Sequence, residues 1–276
     1  MTTLLTAMPS QKTTIAVSVF QALCTGELES PEGRVDAHKQ GQPSALTSQY
    51  TSCGALRRLL SPPPTMKPHV HDPSNGYDAL AHELMLRRDP KIGVATVREW
   101  ARALPPGGAV LDLGCGHGVP ISQALIEDGF EVYGVDASPV LVAAFRQRFP
   151  QAQVACEVVE DSDFFGRTFD AVVAWGLLFL LASQTQEALL HRVGSILRPG
   201  GSFLFTAPEQ ACSWTDVITG RQSISLGSDG YRTILAAAGL ALLAEHQDEG
   251  ENHYYEARRH EAPPPLLFVN EAGQRT

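Results

Sequence analysis

Residues 110–136 constrain this chain more than any other stretch. They open with Val110-Leu111-Asp112-Leu113 and continue as Gly114-Cys115-Gly116-His117-Gly118. After a helical stretch they end in Val132-Tyr133-Gly134-Val135-Asp136. An apolar strand stopped by closely spaced glycines lets the backbone turn sharply and approach a ligand, since glycine takes positive φ and carries no side chain. A second apolar strand ending in an acid puts a carboxylate where it can accept hydrogen bonds from the vicinal hydroxyls of a ribose. Together the two describe a nucleoside-bearing ligand lying across the ends of two parallel strands.

The glycine spacing narrows the ligand. A dinucleotide site reads G-x-G-x-x-G, and its third glycine lets helix and strand pack around a pyrophosphate. Counted from Gly114, that third place is Val119, and Asp112 stands two residues before the first glycine. A carboxylate there repels a pyrophosphate and suits a ligand that carries an ammonium group. S-adenosylmethionine has a ribose, an adenine and an ammonium, and no phosphate.

These residues resemble the first two motifs of the class I S-adenosylmethionine-dependent methyltransferases. Phe169-Asp170-Ala171-Val172-Val173-Ala174-Trp175 resembles that family's fourth strand. Leu197-Arg198-Pro199-Gly200-Gly201, followed by Ser202-Phe203-Leu204-Phe205, resembles its turn and fifth strand. The resemblance covers residues 74–259. It implies an α/β fold: a Rossmann-like, seven-stranded, mostly parallel sheet with helices on both faces and the last strand antiparallel. It implies methyl transfer from S-adenosylmethionine to a small-molecule acceptor. The alternatives are a non-catalytic cofactor-binding module or partner subunit, and an NAD-dependent oxidoreductase, against which Val119 speaks.

The resemblance also implies site residues. Asp136, with Ala137 beside it, is expected at the ribose, and Gly114 and Gly116 at the methionine part. Asp112 either holds the ammonium, often through water, or caps the glycine turn. His117 is expected to shape the loop. An acid after the third strand binds the adenine amino group in the family; its usual place is Val158 here, which leaves Glu160 and Asp161, with Asp161 favoured. Trp175 either offers its carbonyl and indole to the cofactor or is a core residue. Tyr77 resembles a tyrosine that reaches the cofactor's carboxylate, and it equally suits a helix core.

Methyl transfer from a sulfonium is an in-line displacement with a neutral leaving group. Alignment and exclusion of water supply much of the rate, and a general base is needed only for a poorly ionised hydroxyl or ammonium acceptor. No fixed catalytic residue follows from the motifs. Acceptor contacts are expected from an insertion at residues 212–225, with Trp214, and from a polar and aromatic cluster at residues 250–255, with Tyr254. His253 is the candidate base, or else a plain hairpin residue.

Net charge is −9. Phosphate binding needs clustered Lys and Arg, and Arg57-Arg58, Arg87-Arg88 and Arg258-Arg259 are isolated pairs that read as solvated faces. A nucleic-acid partner is therefore not expected. Five cysteines without a C-x-x-C read neither as a disulfide framework nor as a zinc site, so no metal is expected and a reducing cytoplasm fits. His69 and His71 have no third ligand nearby. The longest apolar run, residues 171–182, is short of the roughly 20 residues that cross a bilayer, so no membrane partner is expected.

Residues 1–65 are rich in Thr, Ser, Gln, Gly and Pro and show no sustained period. They read as a disordered tail or as a non-native extension ahead of Met66. Residues 66–259 read as the methyltransferase domain and residues 260–276 as a tail. Within the domain the apolar spacing predicts helices from Tyr77, around Val97 and Trp100, over residues 121–128, after Ser138-Pro139, after a Ser183/Gln186 capping box, and around Tyr231.

Overall fold

The computed structural model describes residues 72–261. The expected extension over residues 1–65, the pair His69/His71 and all but two residues of the expected tail 260–276 lie outside the described residues.

Strand and helix alternate, and the strands meet in one seven-stranded sheet. Strand β1 is Ala109–Leu113, β2 Glu131–Asp136, β3 Gln153–Cys156, β4 Phe169–Ala174, β5 Leu197–Thr206, β8 Leu240–Gln247 and β9 His253–Arg259. Their order is β3-β2-β1-β4-β5-β9-β8. All neighbours from β3 to β5 pair in parallel, and β9 runs antiparallel to both β5 and β8. The chain winds outward from β1 to β3 and then returns to the other side of β1 with β4. The strand order therefore reverses between β1 and β4, and a crevice opens there at the carboxyl ends of the strands.

Strand residues alternate between two cores, as a period of two demands. Leu111, Leu113, Val172, Ala174, Phe203, Phe205 and Tyr255 pack on one face with helices α5 (Ser183–Ile196) and α6 (Gly227–Ala237). Val110, Ala171, Val173, Leu204 and Tyr254 pack on the other with α2 (Val94–Ala101) and α3 (Ile121–Glu127). Asp112 alternates with Leu111 and Leu113, so its carboxylate points to the α3 side. Helix α4 (Pro139–Arg148) begins as expected: the Ser138 hydroxyl accepts from Leu141 N at 3.2 Å, and proline takes the first position. Where α5 passes the end of α6, a Cβ on Gly194 would lie 2.3 Å from the Ala238 carbonyl oxygen, so only glycine permits that approach.

Three local expectations change. Helix α1 is Ala81–Arg87 and does not start at Tyr77. The preceding residues form turns in which Tyr77, Leu80 and Ala81 donate three residues back. The Asp72 carboxylate fixes this entry by accepting from Ser74 N and Gly76 N. The Ser183/Gln186 capping box does not form. The Gln186 amide instead donates to Leu181 O and Ile224 O and accepts from the Tyr231 hydroxyl, which ties α5 to its neighbours. The insertion after β5 is a two-stranded hairpin, β6 (Ala211–Thr215) and β7 (Gln222–Leu226). Cys115 and Cys156 are free thiols, whereas Cys212 is disulfide-bonded, which the scattered spacing does not foreshadow. Among the described residues no helix is long and apolar enough to cross a membrane.

Candidate cofactor site

The glycine loop lies at the strand-order reversal. Gly114 N and Cys115 N both donate to Val135 O, so the turn is pinned to the end of β2. Gly118 has φ +84, and a Cβ there would sit 2.5 Å from the Phe149 ring. The third glycine thus serves the packing of the loop against α4.

Asp136 ends β2 and bridges the loop to α4. One carboxylate oxygen accepts from Gly116 N at 2.9 Å, the other from Ser138 N at 2.8 Å. Burial pushes its pKa up, and the two backbone N–H groups and the Arg88 charge pull against that. Ala137 follows it, half-buried. Asp78 reaches the same corner from the N-terminal segment, accepting from Ser138 Oγ at 2.6 Å and Val140 N at 3.0 Å.

Asp112 is 2% exposed, and its one hydrogen bond comes from Ser122 Oγ at 2.5 Å. Burial raises its pKa to about 7; the Ser122 hydroxyl opposes this and the Asp136 charge adds to it. The carboxyl is desolvated and forms no ion pair among the described residues. His117 is also buried, and burial, with the Arg88 and Arg148 charges, lowers it to about 4, so it is neutral near pH 7.

Arg88 is the residue that sequence reasoning missed. Arg87 is exposed and pairs with Glu83 at 2.7 Å, as a solvated face should. Arg88 instead turns inward. Its guanidinium carbon lies 4.8 Å from the centroid of the Trp175 ring. Its Nε is buried without a hydrogen-bond partner, and it forms no ion pair among the described residues. Burial lowers its pKa, against the pull of Tyr77 and Asp136. The signal was available: Arg88 follows Leu84 by four residues and caps the C-terminal end of α1, where its N–H donates to Leu84 O. Leu84, Arg88, Asp112, Gly114, Gly116, His117 and Trp175 line one cavity.

The other expected residues divide. The Trp175 indole N–H donates to the Tyr254 hydroxyl at 2.7 Å, and its ring flanks the cavity. Tyr77 is half-buried; burial and the Asp216 charge raise its phenol, and Arg88 opposes. Glu160 and Asp161 are both exposed, and Glu160 lines a separate groove against Gln184, Thr185 and Ala188 of α5. Trp214 is buried in the hairpin, its ring centroid 5.6 Å from that of Phe179. Tyr254, expected as an acceptor contact, is fully buried, and its hydroxyl is committed between Trp175 and Asp248. His253 faces the opposite side of β9 with Tyr255, and its Nε2 lies 2.8 Å from a Glu245 carboxylate oxygen. The structure does not bring His253 to the cavity that Trp175 lines.

This sheet order, with a glycine loop after β1 and an acid ending β2, is the class I methyltransferase architecture. The family model described as a methyltransferase domain matches residues 110–201. The ubiquinone biosynthesis O-methyltransferase of Xanthomonas axonopodis is 30% identical over 152 residues, which are 51% of this chain and 62% of that protein. The cypemycin N-terminal methyltransferase of a Streptomyces species is 34% identical over 151 residues, 52% of this chain and 58% of that protein. The chain spans less than two thirds of the length of these curated relatives. Among solved structures, the 1,6-didemethyltoxoflavin-N1-methyltransferase of Burkholderia thailandensis is similar in fold, with a TM-score of 0.55 and 19% identity over 67% of this chain and 84% of that one.

Proposed function

We propose that this chain transfers a methyl group from S-adenosylmethionine to a small-molecule acceptor. One observation carries the reading: a buried carboxyl, Asp112, a half-buried one, Asp136, and the Arg88 guanidinium, whose buried Nε has no partner among the described residues, converge on the glycine loop. The amino-acid end of that cofactor bears one ammonium and one carboxylate, and the sugar bears two vicinal hydroxyls. Each group meets its complement. Asp112 holds the ammonium. Arg88, with Tyr77, holds the carboxylate. Asp136, beside Ala137, takes the ribose, since each of its oxygens spends one lone pair on a backbone N–H and keeps another. Gly114 and Gly116 let the backbone pass close to the methionine part. Glu160 and Asp161 remain the alternatives for the adenine. When bound, the cofactor supplies a methyl already activated on a sulfonium. The chain then has to align the acceptor and exclude water. We assign the covering of the acceptor to the β6–β7 hairpin, with Trp214 against Phe179.

The test is isothermal titration of the full chain with S-adenosylhomocysteine, with NAD in parallel. Binding of the first and not the second is expected. Failure of S-adenosylhomocysteine to bind overturns the reading, and NAD binding would revive the oxidoreductase alternative.

A further inference from the structure

Tyr254 contributes nothing to the cavity surface, yet its hydroxyl is the centre of a buried relay. Indole N–H is donor only and carboxylate acceptor only, so the direction is fixed. Trp175 donates to Tyr254 at 2.7 Å, and Tyr254 donates to Asp248 Oδ2 at 2.8 Å. Asp248 is itself held by the β8–β9 turn, where its Oδ1 accepts from Gly250 N and Asn252 N. At the other end, the Trp175 ring carries the Arg88 guanidinium on its face.

The same turn grips the segment that bears Arg88. Gly93 N donates to Glu249 Oε1 at 3.2 Å. A Cβ on Gly93 would lie 2.5 Å from the Tyr254 hydroxyl and 3.1 Å from the Trp175 indole nitrogen. Gly250 in turn meets Ile92. One turn that does not line the cavity therefore sets the stacking partner of Arg88 and the chain at Ile92 and Gly93 just beyond it.

We infer that Asp248 and Tyr254 are positioning residues for the amino-acid end of the cofactor, acting through Trp175 on Arg88. The inference rests on the function proposed above. It assigns the β8–β9 turn a part in cofactor affinity rather than in acceptor contact. A guanidinium with an unpartnered Nε has no hydrogen bond there to fix its plane, so the stacked indole fixes it, and the relay fixes the indole.

Two probes separate this role from a merely structural one. S-adenosylhomocysteine carries the amino-acid end, whereas 5′-methylthioadenosine has the same adenosine and sulfur without it. In Tyr254→Phe, the dissociation constant for S-adenosylhomocysteine should rise about five-fold, the worth of one net hydrogen bond. That for 5′-methylthioadenosine should stay within about two-fold. Trp175→Phe keeps an aromatic face without the N–H and should show the same split, and it decides the matter if Tyr254→Phe does not fold. Arg88→Ala should show the split at its largest. Equal weakening of both probes, or weakening of neither, overturns the relay while leaving the cofactor reading intact. Wild-type protein that binds no S-adenosylhomocysteine overturns both.

Discussion

Asp112→Asn tests the electrostatics of the site most directly. The Asp112 carboxyl is moved by burial from its ordinary 3.8 to about 7. At 1.36 kcal/mol for each tenfold change, the folded protein above pH 7 carries a cost of about 4 kcal/mol for this one charge. The sign follows from linkage. The folded state holds the proton more tightly than the unfolded chain, so the contribution to stability is fully present below about pH 4. It is lost as pH rises through 7. Asparagine has the same shape, stays neutral at every pH, and still meets the Ser122 hydroxyl. At pH 4 the variant and the wild type should melt together, and the gap should open steadily from there to pH 7. At pH 8 the variant should melt higher by roughly 10 °C, for a domain of this size. The same variant should bind S-adenosylhomocysteine roughly 10- to 100-fold more weakly, since a neutral amide replaces a charge-assisted partner of the ammonium. The assay is thermal denaturation of both proteins from pH 4 to 8, with titration at pH 8. A difference in melting temperature that does not change with pH, or a variant less stable at pH 8, would refute the buried-charge argument.

Three further outcomes are expected. S-adenosylhomocysteine affinity should rise about tenfold per pH unit from 5 to 7 and level off above, because below 7 the ammonium must displace the Asp112 proton; titration in buffers of different ionisation enthalpy should show one proton released per ligand. Asp136→Ala frees Gly116 N and Ser138 N, so it should cost roughly 1–3 kcal/mol in chemical denaturation and weaken S-adenosylhomocysteine roughly 10-fold or more; unchanged affinity in a folded variant would remove Asp136 from the ribose. Gly194→Ala forces α5 away from Ala238 O and should cost roughly 1–3 kcal/mol in denaturant melts, with ligand affinity per native molecule unchanged.

The legible part of this chain was what repeats along the backbone or announces a turn. A continuous apolar β1, its glycines, and Ser138-Pro139 each report a local conformation, so these elements and the loop followed from short-range chemistry, whereas the make-up of the sheet came with the family resemblance. Asp112 and Asp136 were legible for the same reason, since each stands at a fixed offset from a strand end. The illegible part depends on partners far apart in sequence. Arg88 looks like Arg87 until the fold lays α1 over the cavity, where the face that carries Leu84 points inward. Gln186 matches a capping box, but the Tyr231 hydroxyl and Ile224 carbonyl compete for its amide and win. Tyr254 and His253 looked alike as polar strand-end residues. Pleating sends one toward Trp175 and the other toward Glu245, and which faces which depends on the register of β9 on β5.

The site is arranged at a cost to the fold, and the arrangement is specific. A desolvated carboxyl with a pKa near 7 and a guanidinium with an unpartnered Nε are each destabilising where they stand. They do not cancel one another, since Arg88 forms no ion pair with either acid. A dinucleotide would add phosphate charge beside Asp112 and make the first cost worse. A zwitterion with its ammonium at Asp112 and its carboxylate at Arg88 relieves both at once. Binding then recovers what folding gave up, and a ligand with only one of the two charges recovers only part of it. On this argument the amino-acid end of the cofactor, more than its adenine, sets the affinity of this chain, and the exposure of both Glu160 and Asp161 accords with a weaker hold on the base.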